Sequence, residues 1–166
     1  MKIIGCILLI ASTTAVGFYL SMLLKEKIML FNMLTLLTVN LSTAIRYNGA
    51  DISSLLKYAS ISNKFPMLDD IINSLENGDT LSDSWSLAVS KATPIYKLSK
   101  EDTTIITQFG HSLGTTDVDG QIEHLCYYKN IFQNKAKILE SDYSTKARVY
   151  KSLGFFSGMA IALVII

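Results

Sequence analysis

The sequence predicts an all-α membrane protein, an antiparallel helical bundle with an N-terminal and a C-terminal transmembrane helix. Three observations predict it. Ile3 to Leu24 is a run of 22 residues without a charge, and Ser152 to Ile166 is a second run of 15. Between the two runs, apolar residues recur at spacings of three and four, the period of a helix with one buried face. No segment of useful length alternates with a strand's period of two.

The first run sets the frame. At about 1.5 Å per residue it reaches roughly 33 Å, enough to cross a hydrocarbon core of about 30 Å. It then meets Lys25-Glu26-Lys27, which favours an uncleaved anchor over a secretory signal. Only five residues precede Cys6, too few for a lipoprotein signal. Gly17-Phe18 lies inside the apolar run, with Met22 where a pilin-type signal needs Glu. The second run reaches about 22 Å by the same measure, and crosses if Lys151 snorkels and Val149 and Tyr150 enter the interface. The expected organisation is therefore 1–24 as the first transmembrane helix, 25–151 as a helical domain and 152–166 as the second transmembrane segment.

Orientation follows from the basic flanks. Lys25 and Lys27 follow the first segment, and Lys146, Arg148 and Lys151 precede the second. Positive flanks stay in the cytoplasm, which places the domain there and both termini at the other face.

The domain reads as successive helices. Met33, Leu36, Leu37, Leu41, Ala44 and Ile45 form a stripe on a helix that runs on from the first segment and ends near Asn48-Gly49. Asp51 is the expected N-cap of a short helix carrying Ile52, Leu55, Leu56 and Ala59, broken by Ser62-Asn63 and Pro66. Leu68, Ile71, Ile72 and Leu75 form the next face, stopped by Asn77-Gly78. Thr80 with Asp83 opens a helix carrying Leu81, Trp85, Leu87 and Ala88, and Pro94 is expected to end it. Ser99 with Asp102 repeats the opening before Ile105, Ile106, Phe109 and Leu113, and Gly114 stops that helix. Asp117 caps the last one. There Val118, Ile122, Leu125, Tyr128, Phe132, Ala136, Leu139, Tyr143, Ala147 and Tyr150 keep helical spacing into the second apolar run.

Chemistry-bearing patterns are sparse. His111 and His124 have no ligand partner one turn away, and Cys6 and Cys126 make no disulfide framework. Asp117 and Asp119 near Gly120 read as caps, because the bidentate Glu of a cation loop is missing. No phosphate loop, nucleophile elbow or basic stripe is present, so no catalytic, cofactor, metal or nucleic-acid site is expected. Gly110 with Gly114, and Gly154 with Gly158, have the GxxxG spacing that lets helix backbones approach, and the second pair is a candidate membrane helix contact.

A more specific pattern lies in Ile106 to Leu125. Phe109-Gly110, Leu113-Gly114, Asp117 and Gln121 resemble the FG-x-x-LG-x-x-D-x-x-x-Q pattern of the stage III sporulation protein AB family. Lys151-Ser152-Leu153-Gly154-Phe155 before the apolar tail, Ile45-Arg46-Tyr47, and Gly78-Asp79-Thr80 leading to Trp85 fit the same family. That family is similar to the cytoplasmic domain of type II secretion system protein F. The resemblance implies a non-enzymatic platform subunit of a transenvelope complex between mother cell and forespore, in the mother-cell membrane with its domain facing the mother-cell cytoplasm. The implied partners are the stage III sporulation protein AA ATPase, other stage III sporulation membrane proteins and membrane lipid. A homo-oligomer is a further candidate assembly. The competing reading is a membrane-anchored regulator or scaffold acting through one soluble partner. The mechanical role is fold-level analogy. The motif itself reads as a turn, with Gly114 reversing the chain, Asp117 capping the last helix, Gln121 bonding back to the turn, and Phe109 and Leu113 buried against that helix.

Overall fold

The computed structural model describes residues 2–48, 54–57, 59 and 65–165. Within the helices it leaves undescribed the side-chain surroundings of residues 2–4, 6, 7, 9, 10, 48, 144, 146, 148, 151, 154, 155, 158 and 162–165. The Asp51 cap, Ile52, the Ser62-Asn63 break, the Cys6 thiol, the flank Lys146, Arg148 and Lys151, and the surroundings of Gly154 and Gly158 therefore lie outside the described residues.

The described residues are helical and contain no strand. The helices are α1 (Lys2–Asn48), α2 (Pro66–Glu76), α3 (Leu81–Tyr96), α4 (Lys100–Ser112) and α5 (Val118–Ile165), with a further helical turn over 54–57. Contacts divide the chain into two units, one formed by Met1–Ile28 with Ala136–Ile166 and the other by Met29–Lys135.

No proline interrupts α1, and its hydroxyls bond back onto their own helix. Thr35 donates to the Phe31 carbonyl at 2.8 Å, Thr38 to Thr35 at 2.7 Å and Thr43 to Val39 at 2.9 Å. This satisfies polar side chains without breaking the ladder. Among the described residues, α1 is the one helix long and apolar enough to cross a membrane by length and composition, over Ala11–Tyr47. The second apolar run continues α5 to Ile165.

The unit Met1–Ile28 with Ala136–Ile166 is built on small residues. Gly17, Ser21, Ala136 and Ala147 are buried. A groove of about 350 Å³ is lined by Val16, Gly17 and Leu20 from α1 and by Tyr150, Leu153 and Ser157 from α5. Large apolar side chains point outward, among them Val16, Phe18, Tyr19 and Met22 of α1 and Leu153 and Phe156 of α5.

The unit Met29–Lys135 has a dense core. α1 contributes Leu30, Phe31, Leu34, Leu37, Leu41 and Ile45, spaced as one helical face. The expected stripe is thus rotated, since Leu36 is exposed while Leu30, Phe31 and Leu34 are buried. α2 buries Met67, Leu68 and Ile71, α3 buries Trp85, Ala88, Val89 and Ala92, α4 buries Ile106 and Phe109, and α5 buries Leu125 and Phe132. Leu87 and Val118, also expected on buried faces, are exposed.

Helix ends follow local chemistry. Pro66 starts α2 at its first turn, where a missing N–H costs nothing. Asp79 donates to the Ser74 carbonyl and Gly78 to Leu75, closing α2 in a Schellman turn with Gly78 at φ +95°. The Thr80 hydroxyl accepts from the Asp83 N–H at 3.2 Å, and Ser99 with Asp102 forms a complete capping box. Pro94 does not end α3. It sits inside the last turn, and the helix continues to Tyr96. The stop comes at Lys97, in the left-handed region at φ 52°, where Leu98 donates to the Thr93 carbonyl. A proline so near the end removes one ladder bond without breaking the preceding turns.

Candidate functional site

Two places in the unit Met29–Lys135 are candidate sites among the described residues. The first is the turn from α4 to α5, where the motif residues lie. Gly114 has φ +76°, a conformation that favours glycine, and reverses the chain there. Its N–H donates to the Gln121 side-chain oxygen at 2.6 Å, and the Gln121 amide donates to the Ser112 carbonyl at 3.4 Å. Gln121 is buried, so one side chain seven residues onward satisfies both sides of the turn. The Asp117 carboxylate accepts from the Gly120 N–H at 3.1 Å at the start of α5.

Phe109, buried in α4, is the hub behind the turn. Its ring lies 5.3 Å from Trp85, edge to face, 5.2 Å from Tyr128 and 5.3 Å from Phe132. Such contacts add to the burial of aromatic area. The Trp85 indole N–H donates to the Ile106 carbonyl at 2.8 Å. Gly110 is where the indole lies against the α4 backbone, and a Cβ there would run into the Trp85 ring. Leu113 is buried as well. Phe109 and Gly110 thus join a clasp of α3, α4 and α5, and Gly114, Asp117 and Gln121 shape the turn between α4 and α5.

The clasp has an ionic brace at the other end of α4. The Lys135 ammonium lies 2.8 Å from Glu101 and 3.3 Å from the buried Asp102. Burial alone would lower the Lys135 pKa, but hydrogen bonding and charge from Glu101 and Asp102 outweigh it and hold the pKa above the ordinary lysine value. Burial, helped by neighbouring Tyr127, raises the Tyr128 phenol.

The second place is a groove of about 480 Å³ between α1 and α5. Thr38, Ser42, Thr43, Arg46 and Tyr47 line it from α1, and Ile122, Leu125, Cys126 and Lys129 from α5. Arg46 was visible in the sequence only as part of Ile45-Arg46-Tyr47, and Lys129 not at all. The available signal was an Arg-Tyr pair interrupting an apolar stripe at a helix end.

His111 is 2.9 Å from the Ser86 hydroxyl, which itself donates to the Ser82 carbonyl at 2.9 Å. The pair joins α3 to α4. Among the described residues, no three His, Cys, Asp or Glu side chains gather to hold a metal. Cys126 is a free, exposed thiol. Of the expected membrane flank, Lys25 is exposed and Lys27 half-buried.

Comparison with known proteins agrees with the motif. Stage III sporulation protein AB of Bacillus subtilis (strain 168) is 20% identical over 171 aligned residues, covering 99% of each chain. No solved structure matches the chain significantly. The family model for stage III sporulation protein AB matches residues 2–166, nearly every residue, and the chain belongs to that family, with a role in sporulation.

Proposed function

We propose that this chain is a non-enzymatic membrane platform subunit of a sporulation-specific, secretion-like complex between mother cell and forespore. In that role it couples the stage III sporulation protein AA ATPase to the membrane components of the complex. Family membership supplies the sporulation context. The observation that carries the mechanical reading is the make-up of α1, which is unbroken from Lys2 to Asn48. The same helix supplies the uncharged run Ile3 to Leu24 and the core side chains Leu30, Phe31, Leu34, Leu37 and Leu41. A push on that core acts on a helix whose other part is suited to lipid. α5 has the same construction, from the buried Leu125 and Phe132 to the apolar end at Ile165.

The outward apolar side chains Val16, Phe18, Tyr19, Met22, Leu153 and Phe156 suit a hydrocarbon surround and are costly in water. In this reading both apolar segments cross the mother-cell membrane, and the unit Met29–Lys135 faces the mother-cell cytoplasm. Gly154 and Gly158 lie on the C-terminal crossing as a helix contact, within the complex or between copies of the chain.

Co-purification tests the reading. After detergent extraction of sporulating cells, the tagged full chain is expected to bring down the AA ATPase together with other stage III sporulation membrane proteins. Recovery of one soluble regulator and no ATPase would instead establish the regulator reading.

A further inference from the structure

In the unit Met29–Lys135, α1 turns an uncharged face outward. Ile28 to Ile45 is a run of 18 residues without a charge. Its exposed members are Met29, Asn32, Leu36, Val39 and Thr43, and all the others are buried or half-buried. These five alternate strictly between spacings of three and four, the narrow seam of a coiled coil rather than the broad outer face of a helix. The other helices of the unit carry charge on their outer faces. α2 exposes Asp69 and Glu76, α3 exposes Asp83 and Lys91, and α4 exposes Lys100 and Glu101. On α1, Met29 and Leu36 are each 45% exposed and Val39 is 42% exposed. Lys25-Glu26-Lys27 separates them from the run suited to lipid. The Thr43 hydroxyl donates to the Val39 carbonyl at 2.9 Å, so it brings no unpaired group to a contact.

We propose that this seam pairs α1 with α1 of a second copy of the chain, the two helices lying parallel. The parallel sense rests on the membrane-anchored reading above, in which both copies enter one bilayer in the same orientation. Two-fold symmetry then sets each seam residue against its own counterpart. The composition of the seam selects this occupant. A partner recognised by charge would find nothing between Met29 and Thr43 to pair with, whereas an uncharged line that matches itself is what a two-fold contact needs. Met29, Leu36 and Val39 meet like apolar groups. The Asn32 amide carries both donors and an acceptor, so it matches its own copy, and an Asn in an apolar seam fixes the register of the pair. Lys25 and Arg46 carry the same spacing on at either end, where long charged side chains can turn to water. The close contact is therefore bounded by Met29 and Thr43.

The experiment uses the full chain in cell membranes, with Cys6→Ser and Cys126→Ser and one new thiol at a time. On mild copper oxidation, Met29→Cys, Leu36→Cys and Thr43→Cys should each give a disulfide-linked dimer of twice the chain mass. Thr104→Cys, exposed on α4, should stay monomeric. With the thiol at Val39→Cys instead, Leu36→Lys should cut the linked fraction severalfold, because it sets like charges face to face. Co-expression with a Leu36→Glu copy should restore linkage, which a misfolded variant would not do. Linkage at Leu36 without linkage at Met29 and Thr43 would mean antiparallel pairing and contradict the proposal. It is overturned if none of the three positions links, if they link to a different protein, if Thr104 links equally well, or if the charge pair restores nothing. Recovery of the chain in the soluble fraction would remove the anchored reading and the parallel sense with it. The ATPase coupling stands or falls on co-purification alone, so the two failures are distinguishable.

Discussion

Gly110 and Gly114 are four residues apart and do different work. Gly114 is needed for its dihedral angle and Gly110 for its missing Cβ. Gly110→Ala should therefore cost about 1–3 kcal/mol, the usual range for overpacking a filled site, because the Trp85 indole cannot retreat without losing its bond to Ile106. A denaturant titration followed by Trp85 fluorescence measures it, and an unchanged midpoint would mean that the indole has room to move. Ser84 gives the opposite expectation. Its hydroxyl is fully buried with no hydrogen-bond partner. Ser84→Ala removes an unsatisfied polar group at little cost in volume, so stability should stay level or rise by about 1 kcal/mol in the same titration. A marked loss would reveal a partner for that hydroxyl.

Among the elements, the pairing of α4 with α5 depends on one end clasped by Gln121 and another braced by Lys135. Gln121→Ala leaves the Gly114 N–H without its acceptor and should cost about 1–3 kcal/mol, with faster amide exchange at the turn as its local signature. The brace has a pH signature. The folded chain holds the Lys135 pKa above its ordinary value, so its contribution is present in full below about pH 10 and is lost as the pH rises through the raised value. The raised Tyr128 phenol acts in the same direction, because it stays protonated in the fold at a pH where the unfolded chain ionises. Stability should therefore fall as the pH rises above about 10, and Lys135→Gln should flatten that fall. An equally steep fall in the variant would assign the alkaline loss to other groups.

What was legible at this scale was local. Ser99 with Asp102 and Thr80 with Asp83 announced their caps because the whole device lies within four residues. Pro94 misled because a proline removes only its own N–H bond, and the helix still runs two residues past it to Tyr96. The contacts that join elements were not legible. His111 meets Ser86 across 25 positions and Lys135 meets Glu101 across 34, and a helical period does not say which faces pair. The rotated stripe on α1 has the same cause. Leu36 and Leu37 are equally apolar, and only the neighbours decide that Leu37 is inside.

For the whole molecule, the all-helical class was readable from period and charge-free runs, and the family from a short turn motif. The groove was not readable, since its lining comes from two helices far apart in sequence. The platform role requires the unit Met29–Lys135 to face the cytoplasm, where an ATPase can reach it. Cys126 makes that testable, because it is exposed within this unit. With Cys6→Ser removing the other thiol, a membrane-impermeant maleimide should label the full chain in inverted membrane vesicles and leave it unlabelled in intact cells. Labelling in intact cells, with inverted vesicles protected, would place the helical unit outside the cytoplasm and contradict the platform reading at its base.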